Sequence, residues 1–298
     1  MPSHIPVLVV EVAELLQLKP GEVVIDATLG AGGHSYAILE KISPKGTLIG
    51  IDKDEDAIRI ANHNLSRFKS QNQLVTVCDS YTALDSIFST AAKNWRCGKP
   101  DGILFDLGLS SLQLGGEKGF SFLKDAPLDM RFGKLGELTA EIIVNSYPVD
   151  QIANILWKFG EERDSRQIAK AIFEARRKQR ITTTKELAEI VTKAKGGRRG
   201  KIHPATLTFQ ALRMAVNDEL AAIMEALPKA IELLRSGGRL AVISYHSLED
   251  RIVKNVFRES AKNEQVKLIT KKPIKPPFAE IKTNPRSRSA KLRVIEKI

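Results

Sequence analysis

Short apolar runs, most of them closed by an acid, recur along the chain and alternate with helical stretches. This pattern constrains the fold more than any other feature. Val23-Val24-Ile25-Asp26 leads into the turn Gly30-Ala31-Gly32-Gly33, and a helix is expected over 35–41. Thr47-Leu48-Ile49-Gly50-Ile51-Asp52 repeats the pattern, and residues 54–68 place Ala57, Ile58, Ala61 and Leu65 on one helical face. A third run covers 74–77, and Gly102-Ile103-Leu104-Phe105-Asp106 is a fourth. Such alternation builds a parallel sheet with helices on both faces. The expected class is α/β, a Rossmann-like doubly wound sheet.

The next strand-like run, Leu240-Ala241-Val242-Ile243-Ser244, follows Gly237-Gly238, more than 100 residues after the fourth. An ordinary βαβ crossover takes only about 30 residues, so a segment has been inserted. It reads as helices: 149–159, 164–178, and a third opened by the capping-box pattern Thr183-Thr184-Lys185-Glu186. Gly196-Gly197-Arg198-Arg199-Gly200 reads as a basic loop. A long helix resumes near Leu207, and Pro228 is expected to kink or restart it. Another helix is expected from Ser247 to about residue 260, with late strands at 266–270 and 292–295. At roughly 150 residues per domain, this gives a discontinuous sheet domain, 1–113 with 207–298, and an all-helical insert, 114–206.

Two cysteines, Cys78 and Cys97, exclude a disulfide scaffold and a cysteine zinc ribbon. No metal site is expected. No apolar run approaches a membrane span, and no basic region followed by an apolar stretch opens the chain. The expectation is a reducing, cytoplasmic setting without membrane attachment. The net charge is +11, unevenly spread: residues 251–298 carry +10, residues 176–201 carry +8, and the remainder carries −7. Two basic segments on an acidic body point to a polyanion partner, since basic surface supplies the sequence-independent part of nucleic-acid binding. The ordinary alternative is a solvated surface.

In a doubly wound sheet the first βα turn holds a nucleotide, because glycines let the backbone approach it and the following helix offers its first N–H groups. Asp52, 20 residues after Gly32, closes the second strand where it can bind both ribose hydroxyls. A nicotinamide dinucleotide and S-adenosylmethionine both use this geometry. The dinucleotide fingerprint fits poorly, since Ser35 stands where its last small residue belongs. Asp26 suits an amino-acid ammonium better than a pyrophosphate. S-adenosylmethionine is the better candidate. His34 is either a locally satisfied helix residue or a cofactor contact. Asp79 either caps a loop or accepts from an adenine amine.

Asp106 ends the fourth strand, whose C-terminal end faces the donor methyl group in such an architecture. An acid there can hold a substrate amine in line for attack. Tyr245-His246-Ser247 follows the fifth strand and should line the same rim, with Tyr245 or His246 against the substrate base. Ser247 is equally suited to cap the next helix, with Glu249 and Asp250 in its first turn. Arg198, Arg199, Arg286, Arg288 and Arg293 are the phosphate candidates. Phe120 and Phe122 suit a lid or a core.

The chain resembles the bacterial 16S ribosomal RNA (cytosine-N4)-methyltransferase family, the RsmH or MraW type. The resemblance runs over almost the whole length. It is carried by His4-Ile5-Pro6-Val7-Leu8, by Asp26-Ala27-Thr28-Leu29-Gly30-Ala31-Gly32-Gly33-His34-Ser35 and by Asp106-Leu107-Gly108-Leu109-Ser110-Ser111-Leu112-Gln113. Gly119-Phe120-Ser121-Phe122, Pro127-Leu128-Asp129-Met130-Arg131, Gly160-Glu161-Glu162-Arg163 and Tyr245-His246-Ser247-Leu248-Glu249-Asp250-Arg251 add to it. It implies a class I methyltransferase with a helical domain after the fourth strand. It also implies S-adenosylmethionine contacts from Gly32, Gly33, His34, Asp52, Tyr81, Asp106 and Gln113, joined by Gly30 of the turn. The implied reaction is direct in-line transfer to a cytosine N4 of small-subunit ribosomal RNA, free or in the subunit, without a covalent cysteine intermediate. Tyr81 stands where Phe is common, Phe132 where Met is frequent, and Lys118 where Arg is usual, which makes a bidentate contact a point charge. No role is legible for Asp129-Met130-Arg131. The rival readings are an amine methyltransferase on another nucleic acid, a non-catalytic RNA-binding ribosome assembly factor and, more distantly, a nicotinamide dehydrogenase. The oligomeric state is open, a homodimer included.

Overall fold

The computed structural model describes residues 6–71, 73–95, 98–109, 117–133, 136–197 and 203–298. Two compact units emerge. One is Met1–Ser110 with Leu220–Ile298, and the other is Ser111–Glu219.

The first unit is built on seven strands: β1 Val23–Asp26, β2 Thr47–Asp52, β3 Leu74–Cys78, β4 Gly102–Asp106, β5 Arg239–Ser244, β6 Val266–Leu268 and β7 Lys291–Lys297. Their order is β3-β2-β1-β4-β5-β7-β6. The first five are parallel, while β7 runs antiparallel to both β5 and β6. The chain steps outward from β1 to β2 and β3, then crosses back to place β4 on the other side of β1. That reversal opens a crevice at the carboxyl ends of β1 and β4, where open α/β sheets bind ligands.

Alternate residues of the central strands feed opposite faces, as the pleat requires. Ile25, Ile51, Ile103, Phe105 and Val242 pack with Ile87, Phe88, Leu227, Ile231 and Phe257. Val24, Leu48, Leu104 and Ile243 pack on the other face with Val12, Leu16, Ile38, Leu39, Leu65 and Phe68. The helix Leu84–Trp95, which the pattern reading does not single out, covers the first of these faces. The expected 54–68 helix divides into Glu55–Asn64 and Ser66–Ser70. The break falls at Leu65, which is fully buried and reaches the space left by the missing side chain of Gly32: a Cβ there would lie 2.9 Å from Leu65 Cδ1. Tertiary packing, not local propensity, sets this boundary.

Pro228 does not restart its helix, which runs over Glu219–Leu233 with the proline inside it. The chain breaks earlier, at Asp218, in the left-handed region at φ 48°. Pro228 is exposed, and so is Met224 four residues before it, so the carbonyl deprived of its N–H partner can be hydrated. Among the described residues no helix is long and apolar enough to cross a membrane.

The second unit carries helices Ala140–Ser146, Val149–Gly160, Ser165–Arg176, Thr184–Ala194 and Thr206–Asn217. The capping box at Thr183 and Glu186 is formed in both directions. Helix Thr206–Asn217 packs here: a Cβ on Gly160 would stand 2.7 Å from the Leu207 carbonyl. The return to the sheet unit therefore falls at Leu220, not at 207 as the pattern suggests.

Asp129-Met130-Arg131 acquires a structural role in this unit. The Asp129 carboxylate accepts from the Arg131 backbone N–H at 2.9 Å, from its Nε at 2.8 Å and from its Nη2 at 2.7 Å. Asn217 donates to the Met130 carbonyl at 2.7 Å and accepts from the Phe132 N–H at 2.9 Å. Met130 sits at φ 60°, a costly conformation for a side-chain-bearing residue, and these bonds hold it there. Phe120 stacks on Phe132 at 5.6 Å, and Phe122 stacks on His203 at 4.4 Å and meets Phe209 edge-on at 5.0 Å. Both phenylalanines serve the packing of this unit.

Gly119 lies at φ 75°, and a Cβ there would overlap the Pro127 carbonyl oxygen. Gly119→Ala is expected to destabilise the protein by about 2–3 kcal/mol from strain and overlap together. Urea unfolding beside Gly197→Ala, a positive-φ glycine with open space around it, checks this. Equal losses in the two variants would show that Pro127 yields.

Candidate active site

The sheet unit brings four acids to the carboxyl ends of adjacent strands. Asp26 ends β1, Asp52 ends β2, Asp79 follows β3 and Asp106 ends β4. Their spacing along the chain is wide, and the parallel register draws them together.

The glycine turn is shaped for close approach. Gly30 and Gly32 lie at φ 52° and 83°, and a Cβ on Gly30 would meet nothing nearer than 3.9 Å. Helix Gly33–Ile42 begins with no side-chain cap, so its first N–H groups are available to an anionic group. Asp26 is buried, accepts from the Ser35 hydroxyl at 2.6 Å and from the Thr28 N–H at 3.2 Å, and burial raises its carboxyl above the ordinary range. The Asp52 carboxylate accepts from the Gly30 N–H at 2.8 Å and from the Asp54 N–H at 2.9 Å, one on each oxygen. Each oxygen keeps a lone pair for a hydroxyl. Loss of water raises the Asp52 carboxyl to about 6, against the pull of those two N–H groups. Tyr81 meets Phe105 edge-on at 5.5 Å, with the Lys53 ammonium 5.8 Å from its ring centre. Asp79 is exposed and binds the Ser80 N–H at 2.6 Å, the loop-capping role.

Asp106 lies at the mouth of the switch-point crevice. Its side chain is 18% exposed. Its Oδ1 accepts from the Tyr245 hydroxyl at 2.8 Å, and its Oδ2 faces His34 Nδ1 at 3.5 Å. Its own backbone N–H donates to the Thr28 hydroxyl at 2.6 Å. Burial raises the Asp106 carboxyl, and His34 and Tyr245 pull it back. Tyr245 packs against Gly108, where a Cβ would come within 3.2 Å of its ring. Burial, with Asp106 alongside, raises the Tyr245 hydroxyl well above its usual value, so it donates throughout the working pH range.

His246, rather than Ser247, caps helix Ser247–Lys262. Its Nδ1 accepts from the Glu249 N–H at 3.3 Å, while the Glu249 carboxylate accepts from the backbone N–H groups of Tyr245 at 2.8 Å and His246 at 3.3 Å. Its Nε2 lies 3.1 Å from Glu249 Oε1 but is not aligned for a hydrogen bond. The cap thus occupies His246 and locks the backbone that presents Tyr245. Spacing favours Ser at such a cap; the extended backbone of His246 decides otherwise.

Arg286 and Arg288 are exposed on the turn Pro285–Ser289. Arg293 is not: it is 8% exposed on β7, and its guanidinium donates to Asp250 at 2.7 Å, with Lys291 on the other oxygen at 3.1 Å. Those two cations hold the Asp250 carboxyl below its usual range. The alternation of β7 turns Arg293 inward, so it pins β7 to helix Ser247–Lys262 instead of facing a phosphate. Gln113, Arg198 and Arg199 lie outside the described residues. The residues that sequence reasoning missed are Thr28, as the anchor of the Asp106 backbone, and Glu249, as the clamp behind Tyr245.

A doubly wound sheet with its seventh strand reversed between the fifth and sixth is the class I S-adenosylmethionine-dependent methyltransferase fold. Within that class, residues 1–298 match the model of the MraW methylase family, and the chain belongs to it. It is similar to proteins named ribosomal RNA small subunit methyltransferase H. The one from Persephonella marina is 47% identical over 100% of both chains. The one from Heliobacterium mobile is 47% identical over 99% of each, and one from Dehalococcoides mccartyi is 49% identical over 99% of this chain and 86% of that one.

Proposed function

We infer that the protein methylates the N4 amine of a cytosine in small-subunit ribosomal RNA. Its relatives' names place them on that RNA, and the basic residues 251–298 and 176–201 suit a polyanion. The observation that carries the reading is Asp106: an acceptor-only carboxylate, part-buried at the switch point and gripped on one oxygen by Tyr245.

The residues present fit S-adenosylmethionine. Gly30 clears the path for it, since a Cβ there would meet nothing nearer than 3.9 Å. The uncapped start of helix Gly33–Ile42 suits its carboxylate, Asp52 suits its ribose and Tyr81 its adenine. When bound, it supplies an electrophilic methyl carbon.

The chain's own work is to make a poor nucleophile adequate, since the cytosine N4 lone pair is delocalised into the ring. Asp106 accepts a hydrogen bond from the exocyclic N–H, which raises electron density on nitrogen and stabilises the positive charge that develops there. Tyr245 holds Asp106 in place and keeps a polar edge at the rim for an unstacked base. Arg286 and Arg288 are the proposed phosphate contacts.

Nucleoside mass spectrometry of small-subunit RNA from cells with and without the gene tests the reading. N4-methylcytidine should disappear with the gene and return with the wild-type chain. An unchanged level would move the search to transfer RNA and DNA.

The Asp52 carboxyl adds a pH prediction. It must be ionised to accept from two hydroxyls, and it protonates at about 6. Cofactor affinity should therefore fall several-fold as pH drops through that value. Calorimetry with S-adenosylhomocysteine should show the fall, and Asp52→Asn should flatten the profile at a weaker affinity. A wild-type profile flat across this range would remove Asp52 from the ribose.

A further inference from the structure

We propose that His34 and Asp106 act as one proton acceptor, taking the proton that the substrate amine loses when it is methylated, with Asp106 touching the amine and His34 acting through it. The inference rests on the amine-methylation reading above and assigns the step that reading leaves open.

The geometry at His34 fixes the tautomer. Nε2 lies 2.9 Å from the Val7 carbonyl oxygen, which can only accept, so Nε2 carries a hydrogen. In the neutral ring Nδ1 is then bare, and it faces Asp106 Oδ2 at 3.5 Å. Two acceptors thus face one another with a place for one proton between them. The ring cannot turn away, because His34 is 6% exposed and held in the first turn of its helix. The other oxygen of Asp106 is occupied by the Tyr245 hydroxyl. A proton arriving at Asp106 is therefore held on the His34 side.

The chemistry needs such a place. The amine lone pair forms the new N–C bond, the C–S bonding pair stays on sulfur, and the nitrogen is left with one proton too many. That proton passes to Asp106, and the N–H bonding pair returns to nitrogen. His34 then shares the proton through Nδ1 as an ion pair with Asp106. The groups facing the pair are acids or their partners: Asp26 from β1, with Ser35 on its carboxylate, Tyr245 beyond β5, and Glu249 from helix Ser247–Lys262.

Two substitutions separate the roles of the two nitrogens. His34→Gln keeps a donor for Val7 and removes the acceptor at Asp106. His34→Asn keeps a polar group beside Asp106 that does not titrate. At saturating S-adenosylmethionine, both should lower the single-turnover rate about 10- to 100-fold. The acid limb of the rate profile should also move to higher pH in both, because the Asp106 carboxyl loses the ring that lowers it. A merely structural His34 would change the plateau or the KM and leave the limb where it is, which would overturn the proposal.

A second readout needs no turnover. Nitrogen-15 spectra of the cofactor-free chain, at the pH of the assay, should show His34 protonated at Nε2 and bare at Nδ1. A ring protonated at Nδ1 would mean that the place is already filled, and would overturn the proposal as surely. Failure of wild-type chain to methylate any RNA would sink the functional reading instead, leaving the tautomer result to stand by itself.

Discussion

Asp106→Ala is expected to lower the single-turnover rate of methyl transfer about 1,000-fold while leaving a folded chain. Two contributions vanish together: the hydrogen bond that enriches the amine nitrogen and the first acceptor for its proton. Asp106→Asn should lose nearly as much, since an amide can orient the amine but cannot take a proton at working pH. Loss of fold would not account for either result. The Asp106 carboxyl is raised by burial in the folded chain, so the folded state binds a proton more tightly there than the unfolded state does. Stability from this group falls as pH rises from the unfolded carboxylate range through the raised folded value. Ionising this carboxyl in the folded chain therefore costs stability rather than supplying it. Thermal unfolding of the Asn variant, which keeps an acceptor for the Tyr245 hydroxyl, should stay close to wild type while N4-methylcytidine formation collapses. A rate within about 10-fold of wild type would leave the reaction to orientation alone.

Arg213→Ala is expected to destabilise the protein by about 3–5 kcal/mol. Arg213 and Glu219 are 9% and 5% exposed, and the guanidinium binds the carboxylate through two parallel bonds, Nε to Oε1 at 2.7 Å and Nη2 to Oε2 at 2.9 Å. Removing the cation takes a two-bond partner from a buried carboxylate. The damage should spread to the neighbouring loop, because the Arg213 carbonyl accepts from Asn217 at 2.9 Å and Asn217 in turn clasps Met130 and Phe132. Arg213→Met with Glu219→Leu should recover much of the loss, since an apolar pair needs no compensation. Urea unfolding measures both. A loss below about 1 kcal/mol, the range of an exposed pair, would mean that water reaches Glu219 in the variant.

The acids at the strand ends could be read in the sequence because each closes an apolar run, and a strand that ends in a carboxylate is a local pattern. Asp106 and Asp52 were found this way. The clasp around Asp129-Met130-Arg131 could not be read, because Asn217, 87 positions after Met130, completes it. Arg293 misled for the same kind of reason. Composition marks it as one more cation in a basic tail, and only the register of β7 against β5 and the approach of Asp250 show that it is spoken for. Leu65 and Asp218 show the limit for helix boundaries: one break is set by what packs into Gly32, the other by a left-handed residue that no pattern requires.

By itself the sequence determined the doubly wound sheet, the glycine turn, the inserted helical segment and the family. All of these follow from periodicity, spacing and ordered motifs, which are properties of neighbouring residues. Only the tertiary structure decided which acids are gripped and by what. Tyr245 reaches Asp106 across 139 positions of chain, and Val7 sets the tautomer of His34 from 27 positions away. A proton's place depends on distances of a few ångströms between groups that no local pattern relates, and those distances exist only once the sheet has closed.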